Sequence, residues 1–180
     1  EHAGKPVGAV HRNLLGLTDL IFADAPDDLS GLDDVDVAFF ALPHGQALNL
    51  APHLPPNVKA IDLSGDFRID DAEVFKRFYK LDHAGDVQGS FVYGLTETNR
   101  DASRTAWFRA NPGCFATATL LALAPAVSSG LLTGKIIVDA KTGSSGSSAK
   151  AAANTHHPQR MNSFYAYKPF EHQHLPEIEQ

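Results

Sequence analysis

Two short apolar runs, "VDVAFFAL" at 35–42 and "VKAIDLS" at 58–64, constrain this chain more than any other feature. Each is close to continuous in hydrophobic residues and does not alternate. A strand of that kind is buried on both faces, as it is inside a parallel sheet. Parallel neighbours need a crossover, and "GQALNLAPHL", 45–54, can supply it as a short helix. Strand, helix and strand within about thirty residues make a βαβ unit. Further along, "DDAEVFKRFYK", 70–80, opens with acidic residues that suit the positive end of a helix. The spacing then predicts a strand over 105–111, an Ala- and Leu-rich helix over 115–127, and strands over 135–143 and 163–170. The small, polar stretch 143–162 reads as a loop with one helical turn. Alternating strands and helices give an α/β protein with a mostly parallel sheet.

Composition narrows the partners. A formal charge of −6 without any basic block argues against nucleic acid or an anionic membrane. No apolar run is long enough to span a bilayer, nothing resembles a secretory leader, and one cysteine excludes an internal disulfide. The cytoplasm is the expected compartment. The chain opens at Glu1 in polar, turn-rich sequence and stops just as a helix begins, so both ends read as cut from a longer protein.

The one cysteine stands in "ANPGCFATATLLALAPAV", 110–127. Asn111-Pro112-Gly113 makes a tight strand-to-helix turn plausible, because glycine tolerates backbone angles other residues avoid. At a helix start, free amides and the helix dipole would favour the thiolate of Cys114. The same amides could hold an oxyanion formed when that thiolate attacks a carbonyl. A buried small hydrophobe is the competing reading of a lone cysteine. A reactive thiolate needs an acid or base, and His172 and His174 in "EHQHLPE" share a face of an extended segment. A solvent-exposed pair is the plain alternative. His156 and His157 form a second pair. No metal site is expected from any of them: one cysteine cannot build a thiolate-rich zinc site, and H-E-x-x-H is absent.

Three loops follow strands in the predicted order. "KTGSSGSSAK", 141–150, offers backbone amides of the kind that cradle phosphate or a dinucleotide, although it is no Walker loop. "ALPHG", 41–45, ends a buried strand, the place where open parallel sheets bind ligands. "DLSGDFRI", 62–69, ends the next one. Its Arg68 could meet an anionic substrate or pair with Asp66 at the surface. Lys141 and Arg160 are further candidates for a phosphate or carboxylate, and solvated charge is their ordinary reading.

Taken in order, "FALPHG", "IDLSGDFR", "VYGLTETNR", "ANPGC", "DAKTGSSG" and "YKPFEHQHLPEIEQ" resemble the N-acetyl-γ-glutamyl-phosphate reductases of arginine biosynthesis. Their lysine-pathway relatives acting on aminoadipyl phosphate share the resemblance, and aspartate-semialdehyde dehydrogenases do so more distantly. The resemblance covers nearly the whole chain. It implies a Rossmann-like parallel sheet lacking its first strand, followed by part of an α+β catalytic and dimerisation domain. The boundary would divide 1–113, the remainder of the dinucleotide-binding domain, from 114–180. It further implies an NADP cofactor, a small-molecule acyl phosphate as substrate, and a homo-oligomer. Cys114 would be the nucleophile and His172 the acid/base, with His174 close by. Pro43 and His44 would lie beside the cofactor, as would Gly143, Ser144, Ser145 and Gly146. Thr142, which stands where the family carries serine, would join Arg68, Asn111 and Tyr165 on the substrate side. Two departures are visible. "FATA" after Cys114 replaces the aromatic-proline pair frequent in the arginine enzymes, which leaves the substrate open. The G-x-x-G-x-x-G loop of the family is absent from these residues. A cofactor-free cysteine hydrolase and a non-catalytic binding module are the rival readings.

Overall fold

The computed structural model describes residues 2–24, 28–83, 85–147 and 152–180. Four strands, β1 (Val37–Phe40), β2 (Lys59–Asp62), β3 (Phe91–Tyr93) and β4 (Phe108–Ala110), form one sheet in the order β1-β2-β4-β3. Every pairing is parallel. Among the described residues eight α-helices accompany them: α1 (Val7–Val10), α2 (Gln46–Leu50), α3 (Ala72–Tyr79), α4 (Asp86–Gly89), α5 (Arg100–Thr105), α6 (Cys114–Ser128), α7 (His157–Arg160) and α8 (Leu175–Glu179).

The two apolar runs become β1 and β2, joined through α2 and a 3-10 turn at Ala51–His53. The core lies against these strands, but β1 is not buried on both faces as its sequence suggests: it is an edge strand, and Phe39 is 63% exposed. Phe40, Ala47, Ala51, Ala60, Phe67, Phe91 and Ala110 are buried in one cluster, with the Phe67 and Phe91 rings stacked 3.8 Å apart. Small alanines at the sheet centre leave room for those rings, which supply the large apolar area. Helix α3 starts where the acidic pair predicts: the Asp71 carboxylate accepts from the amides of Glu73 and Val74, both at 2.9 Å. Two of the amides left without partners at a helix start are thereby satisfied.

Register decides where the site lies. Phe40 pairs with Asp62, Asp62 with Ala110, and Ala110 with Tyr93. The carboxyl ends of all four strands therefore form one row. The chain leaves that row through Pro43-His44, 63–68, Gly94 and Asn111-Pro112-Gly113. Three backbone bonds extend the ladder just past it: Leu63 N–H to Phe40 (2.9 Å), Gly94 N–H to Ala110 (2.9 Å) and Asn111 N–H to Asp62 (2.8 Å).

Two expectations need correction. Residues 135–143 and 163–170 are not strands. Their sequences favour extended backbone, but a strand exists only where a neighbour completes its ladder. Among the described residues neither stretch has such a neighbour, and Ile137, Phe164 and Phe170 stand exposed. Conversely, β3 and α5 form where the pattern gave no signal. Strand β3 is three residues long, too short to show a period.

Candidate active site

The turn after β4 delivers Cys114 to the first position of α6, with Gly113 as N-cap. The thiol is exposed. No side chain caps this helix start. The Gly113 amide is taken, however: it donates to Glu177 Oε1 at 2.6 Å. The oxyanion donors available at this terminus are therefore amides inside the first turn.

Both histidines of "EHQHLPE" reach this turn. Phe115, next to the cysteine, stacks edge-on against His172 (ring centroids 5.2 Å) and His174 (6.1 Å), and lies 6.4 Å from the Tyr167 ring. The two imidazoles are 4.6 Å apart. The His174 ring fills the space a side chain on Gly113 would need, so only glycine fits before the cysteine.

The histidines differ in surroundings. His174 is buried, and burial pushes its imidazole down to about 4, with the neighbouring His172 acting in the same direction. It is a neutral wedge. His172 is half-buried and lowered less, first by burial and then by the Lys168 ammonium. Its Nδ1 accepts the His174 backbone N–H at 3.1 Å. In the neutral ring that bond places the proton on Nε2, which faces Tyr167 Oη at 3.5 Å. The Tyr167 hydroxyl is raised by burial and by the charge of a Cys114 thiolate. The arrangement thus offers an exposed thiol on a helix start and a neutral imidazole with its proton turned outward.

Beneath them lies a polar network that the sequence did not announce. Glu177, 1% exposed, accepts from Gly113 N–H, from Tyr93 Oη at 2.9 Å, and from Arg68 Nη1 at 3.5 Å. Arg68 is itself buried and also donates to the Leu63 carbonyl. Its partner is Glu177 and not Asp66, which corrects the surface pairing anticipated for it. Asp66 is fully buried and accepts both the Gly45 amide (2.8 and 2.9 Å) and the Leu48 amide (3.4 Å). Asp62 accepts Ser64 Oγ at 2.8 Å and the Ser64 amide at 3.1 Å. Burial raises Asp62 to about 6, against the pull of those bonds. The only sign of these roles in the sequence is acidic and hydroxyl residues at strand ends.

The residues read as cofactor contacts fall in two places. Pro43 and His44 lie on the same strand-end row as Cys114. His44 accepts the Gly65 amide on Nδ1 at 3.1 Å and stacks edge-on with Tyr79. A side chain at Gly65 would run into Tyr79 and His44. Because Asp66 occupies the Gly45 and Leu48 amides, the start of α2 is no phosphate cradle. Pro43 and His44 themselves are exposed. Gly143, Ser144, Ser145 and Gly146 are exposed, the last three within the 3-10 turn Ser144–Ser147. Neither this turn nor Tyr165 makes a hydrogen bond or ring contact with Cys114, His172 or His174 among the described residues. Asn111 is exposed beside the thiol, its amide group bonded to the Pro112 carbonyl at 3.2 Å. Residues 148–151 lie outside the described residues. Among the described residues no three histidine, cysteine, aspartate or glutamate side chains gather as a metal site, and no helix is long and apolar enough to cross a membrane.

Comparison with known proteins agrees with this layout. Residues 1–106 match the NAD-binding domain of semialdehyde dehydrogenases, and residues 114–180 match the semialdehyde dehydrogenase dimerisation domain. An N-acetyl-γ-glutamyl-phosphate reductase from Methanopyrus kandleri is 44% identical over 180 residues, covering 98% of this chain and 52% of the relative. A [LysW]-L-2-aminoadipate/[LysW]-L-glutamate phosphate reductase from Saccharolobus solfataricus is 43% identical, covering 100% and 52%. An N-acetyl-γ-glutamyl-phosphate reductase from Acinetobacter baumannii is 42% identical, covering 98% and 51%. The chain spans about half the length of these curated relatives.

Proposed function

The chain belongs to the semialdehyde dehydrogenase family, and on that premise we propose that its complete protein reduces N-acetyl-γ-glutamyl phosphate to the 5-semialdehyde in arginine biosynthesis, with Cys114 as nucleophile. The observation that carries the reading is the meeting of Cys114, at the start of α6, with His172 and His174 across Phe115.

Each residue has a task. The Cys114 thiolate attacks the acyl carbon, the C–O bond to phosphate breaks, and inorganic phosphate leaves with that electron pair. A thioester remains on Sγ. A nicotinamide cofactor held beside Pro43 and His44, which we take as NADPH, would supply the hydride for reduction of that thioester. The resulting oxyanion expels Sγ, and the aldehyde departs with the thiolate restored. Sulfur suits this double duty because a thiolate is both a good nucleophile and a good leaving group. Donors within the first turn of α6 and the Nε2–H of His172 stabilise the oxyanion at both stages. His172 also holds the proton available to the leaving group. Pro43 and His44 flank the cofactor, as do Gly143, Ser144, Ser145 and Gly146, while Arg68, Asn111, Thr142 and Tyr165 serve the substrate side. Arg68 does so indirectly, through Glu177.

The division into a dinucleotide-binding part, 1–113, and the first part of a catalytic domain, 114–180, belongs to the same proposal. So do self-association and a cytoplasmic location. Reduction of an aminoadipyl phosphate in lysine biosynthesis is the second reading, favoured by the similarity to the Saccharolobus protein and by "FATA" after the cysteine. The test is NADPH consumption by the complete protein with each acyl phosphate in turn. Activity with the acetylglutamyl substrate that vanishes in Cys114→Ser supports the first reading. Activity with the aminoadipyl substrate alone supports the second.

A further inference from the structure

Glu177 belongs to no group of residues assigned to substrate or cofactor, yet its side chain ties together three parts of the chain beneath the site. Its carboxylate is 1% exposed and takes donors from three separate segments: Gly113 before α6, Tyr93 at the end of β3, and Arg68 after β2. A buried carboxylate is costly unless bonded, and here three donors meet it. One end of this arrangement fixes the peptide that precedes Cys114. The other fixes α8, and with it His174 and His172, which stand three and five residues earlier in the chain. At the C-cap of α8, Gln180 Nε2 donates to the Arg68 carbonyl at 2.5 Å, a second tie between this helix and the segment after β2.

We propose that Glu177 is the positioning residue of this site, holding the Cys114 peptide and the histidine segment in mutual register through the Gly113 amide. The proposal rests on the reading of Cys114 as nucleophile. The role needs an acceptor at Oε1 and not a charge, so glutamine is the conservative replacement. Alanine leaves Gly113 N–H and Tyr93 O–H without a partner and frees the turn.

The experiment compares wild type, Glu177→Ala and Glu177→Gln in the complete protein. Two quantities are measured: NADPH-dependent turnover, and alkylation of Cys114 by iodoacetamide, followed as both rate constant and final extent. In Glu177→Ala we expect kcat to fall about a hundredfold with KM little changed, as for a misplacement of about 1 Å. The alkylation rate constant should shift at least about fivefold while the final extent stays complete, since every molecule is folded but its thiol is misplaced. Glu177→Gln should return both rates to within about threefold of wild type, because its amide oxygen accepts the Gly113 and Tyr93 bonds made to Oε1, and only the 3.5 Å Arg68 contact to Oε2 is lost. A purely structural role would instead lower the extent of reaction and leave the rates of the folded fraction unchanged, and that result overturns the proposal. So does a glutamine variant as impaired as alanine. Should Glu177→Ala fail to fold, Tyr93→Phe removes one donor from the same carboxylate oxygen and is expected to slow turnover severalfold; wild-type turnover there also overturns it. If wild type reduces no acyl phosphate, the reductase reading fails by itself. The alkylation rates, which need no substrate, then decide on Glu177 alone.

Discussion

The imidazole of His174 occupies the space that a side chain on Gly113 would fill. These residues stand far apart in sequence, and their contact binds the histidine segment to the turn before Cys114. Gly113→Ala must therefore displace the ring or the helix start. A stability loss of about 2 kcal/mol is expected from such overpacking. Turnover should fall about a hundredfold, since the displaced groups are those proposed to act. Thermal melting and NADPH-coupled kinetics measure the two effects separately.

Phe115 lies between the two histidines and Tyr167. Phe115→Ala removes the ring that fixes both imidazoles and leaves the thiol in place. Turnover is expected to drop about tenfold with a stability cost of about 1–2 kcal/mol. Steady-state kinetics of that variant, at a temperature well below its melting point, check this.

Acid should loosen the fold through His174. Its pKa lies near 6.5 in the unfolded chain and about 4 in the folded one, because burial disfavours the cation. Between those values the unfolded state binds a proton that the folded state does not. Stability is therefore lost as pH falls from about 6.5 towards 4, and this group contributes no slope above 6.5. His172, lowered in the same direction, adds to the loss. Melting temperatures across that range should fall with acid, and His174→Gln should flatten the decline.

Asp62 acts with the opposite sign. Its folded value is about 6 against 3.8 unfolded, so the folded state keeps a proton that the unfolded state loses across that window. Stability falls as pH rises from about 4 to 6, and the deficit persists above it. Asp62→Asn keeps an acceptor for the Ser64 amide and removes the buried charge. The variant is expected to melt a few degrees, about 3 °C, higher at pH 7, with no gain at pH 4. Paired melting curves at the two pH values test it.

What the sequence allowed one to read follows from how local each feature is. The strands β1, β2 and β4 and helices α2, α3 and α6 were legible because an apolar run, an acidic N-cap and an Ala/Leu run are properties of contiguous residues; burial on both faces was not, since β1 is an edge strand that leaves Phe39 exposed. Residues 135–143 carry the same strand signal as β2, but a ladder requires a partner that no local pattern specifies. At the site, the thiol and the two histidines were legible by residue type. Glu177, Tyr93 and Asp66 were not. Their importance comes from sheet register, which sets Tyr93, Ala110 and Asp62 in one row and so brings Gly113, Arg68 and Glu177 together. Arg68 shows the difference best. As a lone cation it reads as a substrate contact, while the fold turns it inward onto a carboxylate 109 positions away.

The central claim is that Cys114 carries the acyl group. Mixing the complete protein with acyl phosphate in the absence of NADPH, followed by intact-mass and peptide analysis, tests it most directly. The account predicts a stoichiometric burst of inorganic phosphate and an acyl adduct on the peptide containing Cys114, both absent from Cys114→Ser. Reduction of the acyl phosphate by the wild-type protein without any Cys114 adduct, or by Cys114→Ser at the wild-type rate, would contradict it.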